Sequence, residues 1–383
     1  MKVAFTTVDL YPGREFLMPW RTVIEVCKVM NLEGYNVQVV TVPVSCNNND
    51  YEFHGMKIVS APRDFNRFCR FIENEQFDVL IYPIPWREAL KDIAAFGRLK
   101  CKRIAYIPGG VYSMGNNLAL WKWGGFAAAK PYIIDTLTSY SRYVNKLKKL
   151  GFSSIVSLSP YTADAVCSAG FKNALCILPG KDNFELLEDE PEVLKRIGLK
   201  SNEKYLLFTG APATTRGSQV LMNVCKRLAQ RKENIKVLFL MRKDTGSDFT
   251  LFESTYNALP SKANVLVATE QVNRNELKTL MKHARGVILP FLVIPSEIPI
   301  TYFEVLSLGT PIITFKNNGT TEYLKDALLT CKSGDTAGLA ENMKRLWEDD
   351  DLHTELSQKA LDIMASHPTW NQISSQWINL IKE

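Results

Sequence analysis

The chain has no apolar run approaching the roughly 20 residues that a membrane span requires, so a soluble protein is expected. Its four histidines, His54, His283, His353 and His367, are far apart in sequence and form no ligand motif. The eight cysteines, Cys27, Cys46, Cys69, Cys101, Cys167, Cys176, Cys225 and Cys331, never form a Cys-x-x-Cys pair at zinc spacing. A reduced, intracellular set fits them better than a disulfide framework. Low-complexity tracts and internal repeats are missing as well, which excludes collagen, coiled coil and wholesale disorder. The opening residues break at Asp9 and Tyr11-Pro12-Gly13 without the small-residue cleavage site of a signal peptide, and read as a first strand.

What is present describes a two-domain α/β protein. With 383 residues and 46% apolar side chains the chain can bury two sizeable cores. Short apolar runs alternate with helical patterns, the signature of parallel sheets. Strands are expected at Lys2 to Val8, Asn36 to Pro43, Val79 to Pro83, Arg103 to Pro108, Ile155 to Ser159 and Leu175 to Pro179. After the acidic stretch Glu185 to Glu192 the rhythm restarts at Tyr205 to Thr209, Ile235 to Met241, Asn264 to Thr269, Gly286 to Phe291 and Pro311 to Phe315. This divides the chain into residues 1–184 and 185–368. Val220, Leu221, Val224 and Leu228 mark one core-facing helix stripe, and Leu277, Leu280, Met281 and Ala284 another. A final helix over 369–383, with Thr369 as its cap, carries Ile373, Trp377, Leu380 and Ile381 on one face and needs a surface to dock on.

Ligands of open parallel sheets sit beyond the carboxyl ends of the strands, so the chemistry is sought in those loops. Thr209 to Gly217 runs from a strand into the Val220 helix; its glycines and Arg216 would suit a phosphate, or make an ordinary connection with a solvated arginine. Pro299 is placed to start a helix whose first-turn N–H groups, at Thr301 and Tyr302, could bind an anion. Glu304, one turn on, could take both hydroxyls of a ribose or be a solvated helix residue. In the N-terminal half, Asp9 to Arg14 and Pro108-Gly109-Gly110-Val111-Tyr112 could reach a cleft or be plain turns.

Together these segments resemble glycosyltransferase family 4, a retaining group built on the GT-B fold of two Rossmann-like domains facing a central cleft. The passages that carry the likeness are Lys2 to Gly13, Leu32 to Thr41, Ile155 to Ser159 with Leu178-Pro179-Gly180, Gly210 to Gly217, Glu304 to Ile313, Asn318 to Glu322 and the closing helix, which in the family packs back on the first domain. The resemblance implies a donor site holding a nucleotide diphosphate sugar at Gly210, Arg216, Pro299, Ile300, Thr301, Tyr302 and Glu304, with Arg216 on the diphosphate and Glu304 on the ribose. It implies an acceptor or cleft side at Asp9, Gly13, Arg14, Gly109 and Gly110, and no metal or other cofactor. Two departures stand out. Ala211 occupies the position of a second phosphate-binding cation, and Glu297 and Glu304 have six residues between them where the family has seven. Glu297 is then the sugar-side glutamate after a one-residue deletion, or unrelated. The histidine common near Gly109 is absent. Front-face attack with retention needs no fixed base, whereas inversion would draw on Asp9.

The expected function is transfer of a sugar to a hydroxyl of a glycan or lipid-linked acceptor in polysaccharide or glycolipid assembly, on the cytoplasmic side. The alternative is a GT-B-like nucleotide-sugar binding or scaffold protein without catalysis. Net charge sharpens the first reading. Residues 1–185 hold 22 Lys+Arg and 16 Asp+Glu, and the remainder 24 and 24, so the whole excess lies in the acceptor half. Arg98, Lys100, Lys102 and Arg103 form one basic cluster and Arg142, Lys146, Lys148 and Lys149 another, near Trp121-Lys122-Trp123. They are two solvated faces or a peripheral contact with an anionic membrane. No nucleic-acid motif accompanies them.

Overall fold

The computed structural model describes residues 1–44, 50–84, 93–110, 112–200, 202–242, 249–294 and 296–383. Cys46, Val111 and Pro295 lie outside the described residues. The first sheet contains β1 (Lys2–Val8), β2 (Asn36–Val42), β3 (Tyr51–Phe53), β4 (Met56–Ser60), β5 (Val79–Pro83), β6 (Lys102–Ile107), β7 (Ser154–Ser157) and β8 (Ala174–Cys176). The second contains β9 (Leu206–Gly210), β10 (Val237–Met241), β11 (Val265–Ala268), β12 (Gly286–Leu289), β13 (Ile312–Phe315) and β14 (Leu328–Cys331). Their orders are β3-β4-β2-β1-β5-β6-β7-β8 and β11-β10-β9-β12-β13-β14. All pairings are parallel except the β3–β4 hairpin. Each sheet therefore reverses its direction of growth once, between β1 and β5 and between β9 and β12, and such a reversal is where an open parallel sheet places its ligand crevice.

The expected strands appear within a few residues of their predicted ends because a strand covered on both faces must be apolar throughout. β5 and β10 are buried from end to end. Three strands escaped the reading: the β3–β4 hairpin, which turns at His54 and Gly55 with φ of 48° and 74°, and the four-residue β14. The two helix stripes hold, with Val220, Leu221, Val224, Leu228, Leu280 and Met281 buried. Leu277 is only partly covered, and Ala284 is buried just beyond the end of its helix, Arg274–Lys282.

The closing helix, Trp370–Lys382, starts on a capping box between Thr369 and Gln372. It lies against the first sheet, with the Trp377 ring 5.0 Å from Phe5 and 5.8 Å from Tyr106. The chain thus crosses between the two sheets twice, and the crossings touch: the Lys181 N–H donates to the Pro368 carbonyl at 3.0 Å. A Cβ on Gly180 would fall 2.7 Å from the Trp370 Cα, so this close approach requires glycine. The seven described cysteines are all unpaired thiols.

Candidate functional site

β9 ends at Gly210, and a short turn over Thr214–Arg216 delivers the chain into helix Ser218–Gln230. Gly217 joins the two in the left-handed region at φ 70°, where a Cβ would lie 1.9 Å from the Pro290 carbonyl oxygen. The loop after β12 is bonded to the same turn, since the Leu292 N–H donates to the Thr215 carbonyl at 2.9 Å. The loops on either side of the crevice therefore hold each other in place. Arg216 lies between them: its guanidinium carbon is 5.5 Å from the Phe291 ring centre, and a Cβ on Gly210 would meet its Cδ and Nη1 at 3.4 Å. Gly210 and Arg216 share the mouth of β9, as expected.

Helix Ile300–Ser307 opens on Pro299, which caps it from an extended conformation. The expected pair of open first-turn donors is corrected here, because the Tyr302 N–H donates to the Pro299 carbonyl at 3.1 Å. A tight first turn at the proline closes that bond. The Tyr302 hydroxyl is bonded to Thr314 at 2.7 Å in the core. Ile300 and Thr301 remain half-buried at the helix start. Glu304 follows with its side chain 14% exposed and an oxygen 3.9 Å from an Arg274 nitrogen. That arginine is held more closely by Asp182, at 2.7 Å, which also binds Arg21 at 2.7 Å and the Trp370 indole at 2.8 Å. Burial raises the Glu304 pKa, the Asp182 charge adds to this, and Arg21 and Arg274 oppose it.

Glu297 is buried at the seam between the sheets. Its N–H donates to the Pro108 carbonyl after β6, at 3.3 Å. Its carboxylate accepts from the Ser159 hydroxyl and, at 2.9 Å, from the Leu158 N–H, at the start of helix Pro160–Ser168. The carboxyl ends of both sheets thus face one another across this residue. Burial pushes the Glu297 carboxyl up to about 7 against the hydrogen bonds that pull it down. A raised carboxyl stabilises the fold fully below the unfolded-state value of 4.5, and that contribution is lost as pH rises through about 7. The loss is on the order of 3 kcal/mol. Glu297→Gln should therefore unfold at a denaturant midpoint that varies less between pH 5 and pH 8 than the wild type does. Equal variation in both proteins would show that another group titrates.

On the acceptor side, Gly110 comes against Glu297, with a Cβ position 3.7 Å from its Cα, and Gly109 precedes it. Gly110, Tyr112, Asn116, Ile294, Glu297, Asn317 and Asn318 line a small cavity here. Asp9, at φ 52°, accepts from the Val44 N–H at 2.6 Å, and its carbonyl accepts from Arg14 at 3.2 Å. Arg14 also lies over the Tyr11 and Trp20 rings, and the Gly13 N–H donates to Glu15 at 2.7 Å. Asn116 escaped the sequence reading: its amide donates to the carbonyls of Leu292 and Lys316 and to the Asn317 side chain. Asp182, Arg274 and Ser159 were missed as well, and only the N-cap position of Ser159 before Pro160 carried a local signal. One cluster needs correcting: Lys102 donates to the Leu380 carbonyl at 2.6 Å and Arg103 to those of Phe96 and Leu99, so both bind helix and loop ends rather than present charge.

Residues 189–362 match the family described as glycosyl transferases group 1. No curated protein sequence matches the chain significantly. Among solved structures, sucrose-phosphate synthase from Thermosynechococcus elongatus superposes with a TM-score of 0.75 at 14% identity, over 100% of this chain and 98% of that one. Anabaena HepE, solved with UDP and glucose, gives 0.70 at 12% over 100% of both chains. The α,α-trehalose 6-phosphate synthase of Burkholderia multivorans gives 0.68 at 6%, over 100% and 98%. At these identities the likeness is one of fold, and it is the fold of two facing Rossmann-like sheets. Residues 189–362 are thus similar to the group 1 glycosyl transferases, and the chain as a whole has the GT-B fold.

Proposed function

We propose that the protein moves a sugar from a nucleotide diphosphate sugar to an acceptor hydroxyl in polysaccharide or glycolipid assembly, with retention. The observation that carries this is that Arg216 follows β9 and the helix bearing Glu304 follows β12, the two neighbouring strands at the reversal of the second sheet. Arg216 would hold the diphosphate and stabilise its charge as the bond from the anomeric carbon to the phosphate oxygen breaks. Glu304 would accept the ribose hydroxyls. The acceptor oxygen forms the new bond on the same face and gives its proton to the departing phosphate oxygen, so no side-chain base is required. Asp9 supports an inverting route less well, because its carboxylate already accepts from the Val44 N–H. UDP is the donor nucleotide we favour, because HepE was solved with UDP and with UDP-glucose.

A thermal-shift series with UDP, GDP, ADP, CMP and their sugars tests the donor. A nucleotide at about 100 times its Kd adds about 2.7 kcal/mol to stability, which a melting curve resolves. UDP-glucose should shift the midpoint and be consumed on incubation with acceptor, with EDTA making no difference. Binding without any hydrolysis or transfer would favour the scaffold alternative, to which Ala211, buried where a second cation is expected, lends some support. No shift with any nucleotide would sink both readings.

A further inference from the structure

Helix Met114–Leu137 is apolar on two opposite faces. One side, with Ala119, Leu120 and Ala129 buried, belongs to the core of the second sheet, where Trp123, Ala128 and Tyr132 pack against it. The fit is close: a Cβ on Gly124 would lie 2.8 Å from the Thr214 methyl, and one on Gly334 would lie 2.9 Å from the Ala119 Cβ. The other side is bare. Met114, Leu118 and Trp121, spaced by four and three residues, share a stripe on which Leu118 is 54% and Trp121 49% exposed. At Gly125 the helix breaks, with φ 78° and ψ 170°, and Phe126, 53% exposed, turns its ring to within 5.6 Å of Trp121. Lys122 and Lys130 are exposed on the same element. From Ile93 to Ala163 the sequence holds ten Lys+Arg, of which Lys102 and Arg103 are taken up by carbonyls, and a single acid, Asp135, which is itself buried.

We infer that the outer face of this helix docks on an anionic lipid surface, with Leu118, Trp121 and Phe126 entering the headgroup layer and Lys122 and Lys130 meeting lipid phosphates. A contiguous apolar face left at the surface ordinarily marks a protein or membrane contact, and among the described residues no helix is long and apolar enough to cross a membrane. That leaves an interfacial seat, for which tryptophan flanked by lysine is suited. A second copy of the chain is the weaker occupant, because a symmetric contact would bring Lys122 and Lys130 of both copies together. The inference draws on the transferase reading only for its purpose, a lipid-linked acceptor. It would bring the bilayer to within about one helix diameter, about 10 Å, of the turn that carries Arg216.

Flotation of the full chain with vesicles of phosphatidylcholine, alone or mixed with phosphatidylglycerol, tests it. The wild type should float with the anionic vesicles. Trp121→Ser with Phe126→Ser should lower partitioning about tenfold or more, and Lys122→Glu with Lys130→Glu should abolish the preference for anionic lipid. Because these side chains are exposed, the variants should melt like the wild type and keep the donor-induced thermal shift. Wild-type flotation by the serine variant would overturn the proposal. So would a solution dimer, seen by sedimentation, that the same substitutions split. A chain that floats but gains no stability from any nucleotide would refute the transferase reading and uphold this surface.

Discussion

Glu304→Ala is expected to lower kcat/KM for the nucleotide-sugar donor by about 100-fold or more while leaving the melting midpoint unchanged or slightly raised. Two hydrogen bonds from ribose hydroxyls to a carboxylate contribute about 1.5 to 3 kcal/mol each, and each 1.36 kcal/mol is tenfold in rate or binding. Removing an ordinary half-buried side chain costs stability, but here the neighbours reverse the sign. Arg274 sits 2.7 Å from Asp182 and 3.9 Å from Glu304, so it is mainly the partner of Asp182. Glu304 is left as the second carboxylate of the group, raised in pKa by burial and by the Asp182 charge. Alanine relieves that repulsion. Glutamine, which keeps one acceptor oxygen and drops the charge, should fall between. Intact kcat/KM in the alanine variant would remove Glu304 from the site, and an activity loss that tracks a fallen melting midpoint would reduce its role to packing.

How much of the fold could be read from the sequence depends on how local its causes are. Strands such as β5 and β10 are uninterrupted apolar runs, and their positions follow from the need to cover both faces of a parallel sheet. The Thr369–Gln372 capping box is four residues long and fixes the start of the closing helix to the residue. Its docking partner is not local: Trp377 meets Phe5 from the opposite end of the chain. β3, three residues long and only partly buried, has too little pattern to be read.

The same division runs through the site. Gly210, Arg216 and Glu304 stand in compact motifs, so spacing and family likeness located them. The bonds that join the two sheets link residues 138 positions apart for Ser159 and Glu297, 201 for Asn116 and Asn317, and 92 for Asp182 and Arg274. No window of sequence contains such a pair. Glu297 shows the consequence. Its distance from Glu304 in the chain pointed to a sugar-side role or to none, and only the structure shows its carboxylate accepting from Leu158 and Ser159, just ahead of helix Pro160–Ser168 of the facing sheet. The basic residues teach a similar lesson, since counting cannot separate Lys102 and Arg103, bound to carbonyls, from the exposed Arg98 and Lys100.

Gly217→Ala is expected to destabilise the protein by about 4 kcal/mol or more and to abolish donor binding with it. The left-handed backbone alone costs a side-chain-bearing residue about 1 to 2 kcal/mol. Contact supplies the rest: at 1.9 Å from the Pro290 oxygen the new methyl group has no room, and its obstacle is main chain rather than the end of a side chain. Relief would require the loops after β9 and β12 to part, which breaks the Leu292 bond to Thr215 and displaces Arg216 from Phe291. Gly13→Ala is the matched control. Its φ of 95° carries a comparable conformational cost, but nothing lies within 4 Å of its Cβ position. Melting curves and soluble yield of the two variants separate conformation from collision. If Gly217→Ala melts no lower than Gly13→Ala, the close contact does not exist, and the argument that the two loops brace one another around Arg216 falls with it.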